Sequence, residues 1–223
     1  MDALAADSLR EILCPVPYSK SFPLERWLGP RRESISTLAE AHAQFGNAGG
    51  GPGRPLEIGR PVAHAYLLRA VAEFQAFIRD LHDLGAERLV ALSNAAVVSR
   101  AMLIAAATEG RMIDRGNADM RSIQQDFRRI GVMNVSGEIA KRNTRWETAG
   151  NHRGDRAYYQ DLIELRNALA HGNQRQLDNL RARGIFDRVS WARARLPGLD
   201  RTARALDQTV WDHLRSSFGR NPW

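Results

Sequence analysis

One stretch constrains the fold more than any other. Leu67, Leu68, Val71, Phe74, Ile78 and Leu81 recur at helical spacing behind Pro61, a residue suited to a first helical turn. The spacing predicts a helix over 61–84, with Gly85 as its break. Ala86 to Glu109 reads as a second long helix. Its Ala, Val, Leu and Ile residues are spread evenly, which predicts burial on most sides. The two would form a helical hairpin around a short turn.

The same period recurs downstream. Asp119 to Ile130 is amphipathic, with Met120, Ile123, Phe127 and Ile130 on one face and Gly131 at its end. Ser136 to Trp146 reads as a short helix and 151–155 as a polar loop. Asp155 to His171 reads as a helix closed by Gly172. Gln174 to Phe186 has no clear pattern. Ser190 to Phe218 reads as a final helix kinked at Pro197-Gly198. No segment shows sustained strand alternation. The expected fold is all-α, a bundle of four or five core helices with an N-terminal helical arm.

The arm is drawn from residues 1–57. Asp2 to Ile12 reads as a short helix. Pro15, Pro17, Pro23 and Pro30 predict irregular chain after it. Ser34 to Phe45 reads as a helix with Ser34 or Ser36 as N-cap. Residues 46–55 (GNAGGGPGRP) form a flexible linker, and without a following Gly-Lys-Ser/Thr they are no phosphate-binding loop. The expected compact domain is 58–218, with 219–223 as a tail.

Composition narrows the function classes. Hydrophobic residues make up 43% of the 223, enough for a core without disulfides or metals. The single cysteine, Cys14, cannot form an internal bridge, and no signal peptide is apparent. Leu89 to Ala107 is interrupted by Asn94 and Arg100, so it falls short of a bilayer span. A cytoplasmic protein is expected. Charge is uneven: residues 1–110 carry net −1 and residues 111–223 net +8. A basic half points to an anionic partner, of which nucleic acid is the usual one. The chain has 30 arginines against only Lys20 and Lys141. A GC-rich genome explains that preference but not the asymmetry.

The basic half also holds the most chemically suggestive stretch, Arg166-Asn167-Ala168-Leu169-Ala170-His171. On a helix, Leu162, Leu165 and Leu169 form a core stripe. Gln160, Glu164, Asn167 and His171 form a polar stripe about 120° away. Arg166 lies between the two, about 7.5 Å of rise before His171, a distance an arginine side chain covers. His171 is the proton carrier of the group near neutral pH. Arg166 offers a fork matched to phosphate oxygens. Asn167 can hold the imidazole or a substrate oxygen. The set suits phosphodiester cleavage by an internal 2′-hydroxyl, which needs a base and a cation to steady the phosphorane but no metal. The bland alternative is an ordinary helix end, a histidine followed by glycine.

Leu165 to Gly172 resembles the signature of the HEPN superfamily: an arginine, a polar residue, and a histidine four to six positions after the arginine at a helix end. The resemblance extends over about residues 60–216. It includes the paired helices, the 119–131 segment, and a final helix with Leu199-Asp200 and Leu206-Asp207. It is nearest to stand-alone HEPN proteins of prokaryotic defence and toxin systems. It implies a metal-independent RNA endonuclease that leaves a 2′,3′-cyclic phosphate and a 5′-hydroxyl. It further implies a homodimer whose motifs face one cleft, no cofactor, and an antitoxin or defence-system partner protein. His171 is then the catalytic acid/base, Arg166 the phosphate stabiliser and Asn167 the positioning residue. One motif histidine per chain independently favours a dimer, because cleavage benefits from both a base and an acid. The subclass paired with nucleotidyltransferase antitoxins carries tyrosine two residues after the histidine, where this chain has Asn173. The alternative functions are a non-catalytic RNA- or protein-binding module, or a purely structural dimerisation partner.

Other candidates are weaker. Arg142 and Arg145, in a basic run ending at Trp146, and Arg153 and Arg156, at the start of the motif helix, are candidate RNA contacts. Glu73 and Arg79 lie on a helix expected to pack near the motif. Glu73 either orients His171 or, more simply, makes a bundle ion pair. His42, His64, His82, His152 and His213 show no metal-ligand spacing, so no metal is assigned. Trp191, Trp211, Phe74 and Phe127 are expected core aromatics.

Overall fold

The computed structural model describes residues 17–47, 59–93, 96–150 and 152–223. The expected helix over 2–12, Cys14 and most of the Gly/Pro-rich linker lie outside them. The described residues are all-α: α1 (Phe22–Arg26), a π-helical turn (Trp27–Arg31), α2 (Arg32–Asn47), α3 (Gly59–Leu92), α4 (Val97–Thr108), α5 (Met112–Arg115) and α6 (Met120–Phe127) with a 3₁₀ turn (Arg128–Ile130). There follow α7 (Val135–Arg142), α8 (Asp155–Ala170), α9 (Gln174–Ala182), α10 (Val189–Arg193) and α11 (Leu196–Phe218).

Helix α3 is the axis. Tyr66, Leu67, Ala70, Val71, Phe74, Phe77, Ile78 and Leu81 bury one long face of it. That face packs against α2, α4, α8 and α11. The expected break at Gly85 does not occur, and the helix runs on to Leu92. The glycine serves a close approach instead. A Cβ there would lie 2.8 Å from Ile130 Cδ1 and 3.3 Å from Val210 Cγ1. Glycine permits that approach at the roughly 1 kcal/mol it costs a helix interior. The second helix therefore begins late, at Val97, and is not buried on most sides. Only Ala107 of α4 is buried, while Val97, Val98, Met102 and Leu103 are exposed.

Pro17 lies in irregular chain as expected and Pro15 falls outside the described residues, but Pro23 and Pro30 do not keep the chain irregular. Pro23 sits in the first turn of α1, where its missing N–H costs nothing, and Ser21 caps that turn by accepting from Leu24 N. Pro30 lies in the wider π turn, beside a kink at Gly29. Helix α2 starts at Arg32, so Ser34 is no N-cap; its hydroxyl donates to Arg31 O. The boundary expected near residue 58 does not divide the core, because Leu24, Trp27 and Ile35 pack into it at 0% exposure. The acids after the leucines of α11 hold this segment. Asp207, fully buried, accepts from Tyr18 Oη at 2.5 Å and from the Ser21 hydroxyl and amide. Asp200 accepts from Trp27 Nε1 at 3.0 Å.

Trp191, Trp211, Phe74 and Phe127 are buried as expected. The 174–186 segment supplies helix α9, capped by Asn173. Pro197 falls in the first turn of α11, so the expected kinked helix is two helices, α10 and α11.

Candidate active site

The motif occupies the last turns of α8. Asp155 anchors the start of that helix. Buried there, it accepts two bonds from the Arg201 guanidinium, at 2.8 and 2.7 Å, and one from Asn143 Nδ2 at 2.9 Å. Leu162, Leu165 and Ala168 are buried and Leu169 packs partly on the core, close to the expected stripe. The polar stripe divides in two. Glu164 is taken by Arg183 at 2.7 Å and by Gln160 at 3.3 Å. Asn167 and His171, with Arg166, line an open cleft of about 740 Å³.

His171 caps the C-terminus of α8, and Gly172 turns the chain away at φ +60°. The imidazole is exposed, and no described residue makes a hydrogen bond to it. Asn167 Oδ1 accepts from Arg166 Nη1 at 3.2 Å and from Asn117 Nδ2 at 2.7 Å. Asn117 Oδ1 in turn accepts from Gln75 Nε2 at 3.3 Å. This relay fixes which way Asn167 faces and steers the Arg166 fork. Asn167 thus positions Arg166 rather than His171, and its amide nitrogen has no partner among the described residues.

The opposite wall comes from α3 and α5. Gln75 and Arg79 of α3 line it together with Asp114, Arg115, Gly116 and Asn117. Arg79 donates to Ile113 O at 3.0 and 2.7 Å and pairs with Asp114 at 3.3 Å. Arg115 is exposed and makes no ion pair among the described residues. Three guanidinium groups against one carboxylate make the cleft cationic.

A buried polar hub holds this wall. Asp126, at 0% exposure, accepts from the amides of Met112 and Ile113 at 3.1 and 2.8 Å. Its own carbonyl accepts from His82 Nε2 at 3.0 Å, while His82 Nδ1 accepts from Arg111 at 2.9 Å. Burial pushes the His82 imidazole below its ordinary range, and the Arg111 charge adds to that. Arg111 also pairs with Asp83 and Asp114. On the far side, the Tyr159 hydroxyl donates to Ala118 O and ties the Asn117 loop to α8.

Glu73 does not orient His171. It pairs with Arg31 at 2.8 Å and Arg69 at 2.6 Å, the simpler of the two expectations. The four arginines proposed as RNA contacts lie away from the cleft. Arg142 is bound to Glu138 and Asp212, Arg153 to buried Asp161, and Arg156 to Glu147. Arg145 alone is exposed without an ion pair, and it lines a separate depression with Arg153. Sequence reading missed Gln75, Asn117 and Arg115. They sit outside any periodic pattern, and only the polar run Asp114 to Asn117 hinted at a functional loop. Asn173 caps α9 by accepting from Gln176 N at 3.1 Å.

Among the described residues, no three His, Cys, Asp or Glu side chains are arranged to hold a metal ion, and no helix is long and apolar enough to cross a membrane. No family model, curated protein or solved structure matches the chain.

Proposed function

We propose that the chain is an endoribonuclease of the HEPN type, acting on RNA in the cytoplasm as a toxin or antiphage defence effector. The observation that supports this best is the shared cleft. An imidazole with both nitrogens free, His171, opens onto the same cationic space as the Arg166 fork and the unpaired Arg115. A phosphodiester in that space meets guanidinium groups from both walls.

The chemistry follows from those groups. A base removes the 2′-hydroxyl proton, O2′ bonds to phosphorus, and the bond from phosphorus to O5′ breaks. Arg166 carries the charge that builds on the non-bridging oxygens. O5′ takes up a proton and leaves as a hydroxyl, with a 2′,3′-cyclic phosphate on the other fragment. His171 serves as base or acid. A second copy of the chain supplies the partner histidine in a homodimer. The exposed apolar residues of α4, which directly precede the second wall of the cleft, offer a surface that such a dimer covers.

The test is cleavage of RNA by purified protein in excess chelator, with His171→Ala and Arg166→Ala alongside. Cleavage by the wild type alone supports the reading. Cleavage that survives loss of His171, or that requires added divalent metal, overturns it. RNA binding that weakens with salt but never leads to cleavage makes the chain a binding module instead.

A further inference from the structure

The basic half of the chain builds more than the cleft. A second groove, of about 760 Å³, lies between α2, the start of α3 and the 181–193 segment. It shares no lining residue with the motif cleft. On α3 its last contributor, Ala63, precedes the first cleft residue, Ala72, by about 13.5 Å of helix rise. Helix α9 borders both cavities, through Gln176 on the cleft and Arg181 on the groove.

Arg60, Arg181, Arg188 and Arg193 line the groove against a single acid, Asp187. That acid is already engaged. It accepts from Arg181 at 3.2 and 2.7 Å and pairs with His64 at 3.2 Å and Arg60 at 3.6 Å. Burial alone would raise the Asp187 carboxyl, but the bonds from Arg181 and His64 hold it well below the usual range. It stays charged and neutralised, so it does little to repel an anion. Arg188 and Arg193 are exposed and make no ion pair among the described residues; Arg188 only lies over the Phe186 ring. Two guanidinium forks are therefore free for phosphate oxygens.

The other wall is of different character. Ala39 and Ala43, one helical turn apart on α2, stand near Ala63 of α3 and Val189 of α10. Small apolar side chains leave a smooth strip beside the arginines. The His42 ring lines the groove and makes no hydrogen bond to a described residue. The volume falls in the range of roughly 300–1,000 Å³ common to small-molecule sites.

We propose that this groove is a second binding site, taking one nucleotide unit: a phosphate on Arg188 and Arg193 and a flat base along the alanine strip. The unit is either a free mononucleotide or part of a strand. The site stands apart from the ribonuclease reading, since it uses none of the cleft residues.

Calorimetric titration of the full-length protein separates these sources. The ligands are adenosine monophosphate, adenosine, inorganic phosphate and a short 2′-O-methyl oligonucleotide, which lacks the hydroxyl needed for cleavage. Saturable binding of the monophosphate, tighter than adenosine or phosphate alone, is the expected result. Arg188→Ala/Arg193→Ala weakens it at least tenfold, and His171→Ala leaves it unchanged. Equal affinity for the oligonucleotide assigns a free nucleotide. Tighter oligonucleotide binding that the double variant abolishes assigns a strand. If the double variant unfolds, Arg193→Gln alone carries the test, with a smaller loss expected. No saturable binding at millimolar ligand, phosphate binding as tightly as the monophosphate, or affinity insensitive to these arginines overturns the proposal.

Discussion

Two histidines, one inside α3 and one at the end of α8, show how differently this fold uses one residue type. His82 is fully buried, with one ring nitrogen donating to a carbonyl and the other accepting from Arg111. His171 is exposed at a helix end, and no described residue bonds its ring. The first has spent its hydrogen-bonding capacity on shape, holding the loop that forms one wall of the cleft. The second has kept that capacity, which is what proton transfer needs. A satisfied buried polar group rigidifies its surroundings, whereas an unsatisfied one at a solvent-facing cleft remains available to a ligand.

The comparison breaks most visibly at His171 itself. His171→Ala is expected to lower RNA cleavage by about 10²–10⁴-fold, the usual contribution of an acid–base group, and to leave the unfolding midpoint unchanged. A loss of stability of the same order as the loss of activity would make His171 a structural residue like His82.

The hub is expected to respond in the opposite way. Asp126→Ala strands the amide of Met112 and the buried amide of Ile113 and should cost about 3 kcal/mol in chemical denaturation. Activity should fall as well, because the Arg115 and Asn117 wall loses its anchor. Denaturation curves matching the wild type would show that the hub does not hold that wall.

Acidity separates the two sites more finely. The folded state keeps His82 neutral, so the unfolded chain binds the additional proton as pH falls. Stability is fully present above the ordinary histidine value of about 6.5 and declines below it. Unfolding free energies at pH 7.5, 6.5 and 5.5 should fall in that order for the wild type. They should fall less steeply for His82→Gln, and identical slopes would mean that His82 is not the group responsible.

The smallest effect concerns Arg115, the free cation facing the motif. Arg115→Ala should raise KM several-fold and change kcat little, as expected of a residue that binds phosphate without touching the reacting bond. An equal drop in kcat and kcat/KM would instead place Arg115 at the transition state.

Much of this arrangement was legible in the sequence. Leu162, Leu165 and Leu169 set the core face of α8, and that geometry left Asn167 and His171 off the core. Helix α6 was equally plain, because Asp119 caps it and Gly131, at φ +90°, ends it. Gly85 misled, since a glycine demanded by a close approach looks the same in sequence as one that ends a helix. Burial of α4 was misjudged because composition alone cannot say which apolar faces find a partner. The Gln75, Asn117 and Asn167 relay was hidden for another reason. It joins three elements far apart in sequence, and amide side chains carry no period. The pairing of the candidate RNA-contacting arginines was hidden as well: Arg142, Arg153 and Arg156 each sit beside a carboxylate that no local pattern reveals.

The most direct measurement of the central claim is the chemistry of the cut ends. The substrate is a DNA oligonucleotide carrying one ribonucleotide, incubated with the protein in chelator and analysed by mass spectrometry. A single cut 3′ of the ribonucleotide is expected, leaving a 2′,3′-cyclic phosphate and a 5′-hydroxyl, with no cut in the all-deoxy control or with His171→Ala. Cutting of the all-deoxy strand, or 5′-phosphate ends at the ribonucleotide, would contradict attack by the 2′-hydroxyl in this cleft.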